Sequence, residues 1–258
     1  MKFPLTVLVA AIVALGFAAP AIAQTGQGQA VVTVLPKHDG ETPANVLQPD
    51  MSVKINGKQS KVAKWTPYQG AASSVELVVL VDGSARSSLG RQLQDIAEFI
   101  GALPPNTKAS IAYMQNGAAV FSVPLSADHA QVLRGLHVPG GALGSSGSPY
   151  FCLSDLAKRW PSTDAQARRI VVMITDGVDT FQRQFDPDDP YVQSAIADAV
   201  RGRLIVYAIY WKSQGRADQG EVETSAGQNL MNEVAQATGG KSFWQGMGNP
   251  VSFQPYFD

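Results

Sequence analysis

Apolar and polar positions follow two different rhythms along this chain. Residues 75–82 and 169–176 carry almost unbroken apolar runs, and each run ends on an acidic residue followed by glycine, Asp82-Gly83 and Asp176-Gly177. Runs of β-branched and aliphatic residues without polar alternation predict parallel strands covered on both faces. In 88–103 the rhythm becomes helical: Leu89, Leu93, Ile96, Phe99 and Ile100 share one face, and Pro104-Pro105 ends the segment. The same reading predicts strands at 108–114 and 118–123, made antiparallel by Asn116-Gly117, and a further strand at 204–210, while Gly239-Gly240 leads into 241–244. Helices are predicted at 127–135, 149–160, 191–201 and 225–238. This alternation specifies an α/β class: a doubly wound, mostly parallel, Rossmann-like sheet flanked by helices.

Upstream, 30–35 has the residue types of a strand, and 51–55 and 59–65 flank Asn56-Gly57, the pair that suits a tight hairpin turn. The chain should therefore carry a small N-terminal β extension. It has too few apolar residues for a core of its own and is expected to pack on the α/β domain downstream. Lys2, the apolar stretch 3–19, Pro20 and Ala21-Ile22-Ala23 read as a secretory signal peptide cleaved after residue 23. The competing reading is an uncleaved anchor, because the stretch approaches the ~20 apolar residues that span a bilayer. The expected organisation is signal peptide 1–23, small β unit and linker 24–72, α/β domain 73–247 and tail 248–258. Export to the periplasm or the exterior is expected, with no stable membrane span once the signal is removed.

A hydrophobic content of 45% over 258 residues fits a globular chain, and a net charge of −1 leaves no basic footprint for nucleic acid. The single cysteine, Cys152, excludes an internal disulfide and reads as a small buried apolar group.

Ligands of open α/β sheets gather beyond the carboxyl ends of the strands, so Asp82 and Asp176 should meet at one crevice. Ser84 follows the first long strand and Ser148 precedes a helix. Asp82, Ser84, Ser148 and Asp176 are hard oxygen donors, suited to Mg2+, Mn2+ or Ca2+. Other features point less far. Asp186-Pro187-Asp188-Asp189 lacks EF-hand spacing, His38, His129 and His137 lack zinc-protease spacing, and no Gly-Lys-Ser/Thr follows the glycine loop at 140–147. Ser84 sits at a strand-to-helix turn as a hydrolase serine does, without the second glycine of Gly-x-Ser-x-Gly, which disfavours an enzyme. Tyr210 and Trp211 are read either as a protein-binding rim or as packing.

Asp82-Gly83-Ser84-Ala85-Arg86, Gly147-Ser148-Pro149 and Ile174-Thr175-Asp176-Gly177-Val178-Asp179 resemble, in order, the three metal-site segments of von Willebrand factor type A domains. The likeness runs from about residue 75 to 244. It implies a doubly wound fold, a divalent cation shared by Asp82, Ser84, Ser148 and Asp176, and a protein partner whose acidic group completes the coordination. Residues 31–65 and the tail 239–257 are similar to exported bacterial proteins known only as VWFA-related. Many of these continue beyond such a tail, which implies a shorter form or an incomplete chain. Ser148 replaces the usual threonine and keeps a hydroxyl. Arg86 replaces the second serine of Asp-x-Ser-x-Ser and cannot ligate a cation. At about 5 Å from a dication its repulsion is roughly 2 kcal/mol with water-like screening and about 7 kcal/mol at an effective dielectric of 20. Three arrangements stay open: Arg86 replaces the metal and pairs with Asp82 or Asp176; it turns to solvent while water fills the ligand position; or Ser87 is drawn in. The expected function is a non-enzymatic adhesion or scaffold module with a degenerate metal site, with a metal-free structural scaffold or a Ser84 hydrolase as alternatives.

Overall fold

The computed structural model describes residues 28, 30–34, 42, 44–67, 74–140, 147–179, 186, 188–212 and 220–257. Among them the strands are β1 (Val53–Ile55), β2 (Lys58–Ser60), β3 (Val75–Asp82), β4 (Thr107–Gln115), β5 (Ala118–Phe121), β6 (Arg168–Thr175), β7 (Leu204–Tyr210) and β8 (Ser242–Phe243). The helices are α1 (Leu93–Ala102), α2 (His129–Leu133), α3 (Pro149–Lys158), α4 (Pro190–Arg201), α5 (Glu221–Thr238) and α6 (Gln254–Phe257). A 3-10 helix, Gly83–Gln92, joins β3 to α1.

The two apolar runs are the centre of a six-stranded sheet ordered β5-β4-β3-β6-β7-β8. All neighbours are parallel except β4 and β5. Asn116 and Gly117 take positive φ of 49° and 74° at the β4–β5 turn, as the Asn-Gly pair predicts. The chain winds outward from β3 in one direction and from β6 in the other. The β3–β6 boundary is therefore the switch point where loops part and a crevice opens.

The strand pattern explains the two cores. Val78, Leu80, Met114, Val171, Met173 and Val206 face α3, α4 and α5, together with Leu153 and Val234. Leu77, Val79, Ile111, Val172 and Ile209 face the other side with Leu89, Ile96 and Ile100. Each fully buried Leu or Ile stabilises by about 1.5–3 kcal/mol. The second core is closed by the carboxyl-terminal residues. Phe253 is fully buried, 5.4 Å from Trp211 between ring centroids, and Phe257 stacks on Phe99 at 4.2 Å. Asp95 on α1 accepts from Ser252 Oγ and Phe253 N, both at 2.7 Å.

Several expectations need correction. The stretch 30–34 belongs to no strand, and Leu35 lies outside the described residues. The hairpin at Asn56-Gly57 forms with shorter arms than predicted, and among the described residues its hydrogen bonds, including Trp65 Nε1 to Val46 O, stay within residues 46–65. The helix predicted over 88–103 is α-helical only from Leu93, its first part being 3-10. Helix α5 begins at Glu221, four residues early, because its exposed first turn is polar. No described helix is long and apolar enough to cross a membrane, and the signal-peptide stretch 1–23 lies outside the described residues.

Candidate functional site

Three chain segments meet at the β3–β6 switch point, and hydrogen bonds tie each to another. The first follows β3. Asp82 caps the 3-10 helix: its Oδ1 accepts from Ser84 N at 2.8 Å and from Ser84 Oγ at 2.6 Å. The second follows β6. Thr175 Oγ1 donates to Asp82 Oδ2 at 2.7 Å and accepts from Gly177 N at 3.2 Å, while Asp176 Oδ1 accepts from Val178 N at 3.0 Å. The third is the start of α3. Ser148 caps it by accepting from Tyr150 N at 3.3 Å, and its Oγ donates to Asp179 Oδ2 at 2.9 Å. Tyr150 OH donates to Gly177 O at 2.7 Å, joining the second segment to the third.

Helix α5 presses on this end from behind. A methyl at Gly227 would lie 2.2 Å from Asp176 O, so only glycine allows the approach. Gly177 takes φ +69°, the left-handed region that favours glycine, as the chain turns away from β6. Burial holds the Tyr150 phenol well above its ordinary pKa, with the charges of Asp176, Asp179, Asp189 and Glu233 adding to the effect. Tyr150 is therefore a proton donor throughout the physiological range.

All four predicted residues, Asp82, Ser84, Ser148 and Asp176, lie at this end of the sheet. Sequence reasoning passed over three more: Thr175, which orients Asp82; Tyr150, which ties the loops; and Asp179, which holds Ser148. Thr175 and Asp179 lie in the third motif segment, which marks the place but not the contacts that give them their parts. The Arg86 and Ser87 side chains, the loop 141–146 and residues 180–185 fall outside the described residues, so the three arrangements for Arg86 are not distinguished.

The donor set suits a hard divalent cation in kind, since carboxylate and hydroxyl oxygens are what Mg2+, Mn2+ and Ca2+ take. Among the described residues no three of His, Cys, Asp and Glu gather closely enough to hold a metal by themselves. A cation here would depend on the two serine hydroxyls and on water.

The remaining candidates resolve into structural roles. Tyr210 and Trp211 are buried, which favours packing over a binding rim. His129 Nε2 bonds Thr107 O, and His137 Nδ1 bonds Gly135 O; His38 lies outside the described residues. Asp189 caps α4 and Asp186 accepts from Asp188 N, so these acids order a loop. Cys152 is buried, and burial with the charges of Asp82 and Asp155 pushes its thiol up to about 12.

The sequence matches no family model and no curated protein. Solved structures match it at low sequence identity. An aerotolerance-related membrane protein of Bacteroides fragilis is 16% identical over 71% of this chain and 94% of its own, with a TM-score of 0.47. The pilus adhesin SpaC of Lactobacillus rhamnosus GG is 10% identical over 70% of this chain and 29% of its own, with a TM-score of 0.47. A manganese-loaded TRAP protein of Plasmodium vivax is 19% identical over 57% of this chain and 61% of its own, with a TM-score of 0.36. The six-stranded, mostly parallel, doubly wound order brings the three motif segments to one end of the sheet.

Proposed function

We propose that this chain is an exported, non-enzymatic protein-binding module of the adhesion or scaffold kind, and that its partner docks at the β3–β6 crevice. The observation that carries the reading is the convergence of three separate segments there, joined by the Asp82–Thr175, Ser148–Asp179 and Tyr150–Gly177 hydrogen bonds. Sites built where loops meet a rigid sheet are where such folds place recognition.

Asp82, Ser84, Ser148 and Asp176 would hold Mg2+, Mn2+ or Ca2+, which when bound supplies positive charge to an acidic group of the partner. In a metal-free crevice the Arg86 guanidinium would serve the same acidic group. A hydrolase is disfavoured: the Ser84 hydroxyl is engaged by a carboxylate, and both described histidines bond backbone carbonyls elsewhere. A ligand-free scaffold has its own support, because Asp82 and Ser148 already act as helix caps.

The test uses Tyr191, which is 42% exposed at the start of α4 and stacks edge-on against Phe151 of α3. A photoreactive benzoylphenylalanine at position 191 should yield one discrete cross-linked species in the producing cells. That species should vanish on Asp176→Ala. No species, or one indifferent to Asp176→Ala, would overturn the binding role of the crevice.

A further inference from the structure

Residues 249–257 sit on the fold as a bound peptide would. Gln92 closes the 3-10 helix, Asp95, Glu98 and Phe99 follow at helical spacing on α1, and together they meet the segment in order. Gln92 Nε2 donates to Val251 O at 3.0 Å and, more weakly, to Pro250 O at 3.4 Å. Asp95 Oδ2 accepts from Ser252 Oγ and Phe253 N, Glu98 Oε2 accepts from Gln254 Nε2 at 2.9 Å, and Phe257 stacks on Phe99. Pro250 and Phe253 are buried, whereas Val251, Gln254 and Pro255 face solvent. Two prolines among nine residues restrict the free segment, so less conformational freedom is lost when it docks. Asn249 marks its start, bonding Lys212 N through Oδ1 at 2.5 Å and Lys212 O through Nδ2 at 3.2 Å. The residues just before it, 244–248, are all exposed. The chain reverses there: Gln245 is bridged to Gly248, Gly246 takes φ +59°, and Gly246 O accepts from Gln228 Nε2 at 2.8 Å.

We infer that the groove along α1 also receives residues 249–257 of a second copy of this chain, and that two copies pair by exchanging these segments. Each groove then keeps the contacts it has within one copy: the two bonds to Asp95, the Gln92 amide, the Phe99 stack and the seat of Phe253 against Trp211. Because those contacts are the same, only the reversal at 245–248 separates the paired form from the single one. A short tether holds its segment at an effective concentration on the order of millimolar. Exchange therefore shows as the chain approaches that concentration, or wherever the reversal is removed. Two polar groups ease it: Gln92 Oε1 and Tyr256 OH are buried and have no hydrogen-bond partner among the described residues, and undocking returns both to water. Pairing of this kind asks nothing of the four donors in the β3–β6 crevice.

Two full-length variants test the exchange. Phe253→Ala combined with Phe257→Ala keeps the groove and spoils the segment, whereas Asp95→Ala keeps the segment and weakens the groove. Each is followed by analytical ultracentrifugation alone and in an equimolar mixture. The mixture should form a one-to-one dimer with a dissociation constant at least about tenfold below the self-association of either variant, because only there does a sound groove meet a sound segment. Association no tighter in the mixture than in the separate proteins would overturn the inference. Should the double variant not fold, deletion of Gly246 and Met247 from the otherwise unmodified chain decides. Without the reversal the chain should be dimeric at roughly micromolar concentration, about a thousandfold below the unmodified protein. Adding Asp95→Ala to the deletion should weaken that dimer at least about tenfold. A folded monomer after the deletion, or a dimer indifferent to Asp95→Ala, would equally overturn it.

Discussion

The two ends of the central strand treat buried acid in opposite ways. At the amino end, Glu76 is fully buried between Lys108 of β4 and Arg169 of β6, its register neighbours. Its Oε2 accepts from Trp160 Nε1 at 2.7 Å, and the Arg169 guanidinium lies 5.5 Å above the Trp160 ring. Arg169 in turn donates to Gly202 O and Ser162 O. At the carboxyl end, Asp82, Asp176 and Asp179 receive their described hydrogen bonds from short hydroxyls and from loop amides. A large indole wedged into the core cannot leave its acid without unfolding something. A serine or a loop amide can. The first end holds its acid through a fixed indole, and the second is an arrangement whose partners can be exchanged.

Trp160→Ala should break this contrast most visibly. It removes a core aromatic and leaves the Glu76 carboxylate without its indole donor, at a cost of about 3–5 kcal/mol in chemical denaturation. Ser148→Ala at the other end should cost only about 1 kcal/mol, the loss of one cap. Equal costs would erase the distinction between the two ends. Cys152 reports on closure: with its thiol at about 12, disulfide-exchange reagents at pH 8 should modify the native chain at least a hundredfold more slowly than the unfolded one. A native rate within tenfold of the unfolded rate would mean that α3 is not firmly seated.

Calorimetry with Mg2+ and Mn2+ sharpens the carboxyl end. Any saturable binding should disappear in Asp176→Ala and strengthen at least tenfold in Arg86→Ser, the increment expected from removing the smaller repulsion. Unchanged affinity in Arg86→Ser would show that the arginine stands away from the cation.

The smallest effect concerns two acids that link α3 to its neighbours. Burial alone would raise the Asp155 carboxyl, but the Arg159 hydrogen bond, the Ala119 amide and the Arg159 and Lys158 charges bring it below the ordinary range. Burial is likewise outweighed at Asp198 by Lys158, Ser154 and Arg201. Because both folded values are depressed, their stabilisation is present above the unfolded value of about 3.9 and is lost as pH falls through the folded value. Asp198→Asn should therefore flatten the decline of stability below about pH 4, and an unchanged acid limb would contradict the assignment.

The strands at 75–82 and 169–176 and the turn at Asn116-Gly117 were legible because each has a pattern that only one local structure satisfies. The start of α5 was not, since Glu221, Val222 and Glu223 are exposed and carry no apolar stripe. The 3-10 stretch at Gly83–Gln92 is invisible to periodicity: Ala85 and Leu89 are its only apolar residues, too few to separate a repeat of three from one of 3.6. At the site, Asp82, Ser84, Ser148 and Asp176 were readable as donors after strands and before a helix. Thr175, Tyr150 and Asp179 were not, because their parts depend on which loops touch, and loop contact is set by the sheet order rather than by neighbours in the chain.

Gly227 shows what this arrangement asks of the chain's history. Within a helix a glycine costs about 1 kcal/mol relative to alanine, and here it permits the contact of α5 with the carbonyl of Asp176. A lineage could thus retune the crevice without altering one of its polar side chains. A single methyl gained at position 227 would force the helix and the site strand apart, making an interior and chemically silent position a route by which selection reshapes the crevice.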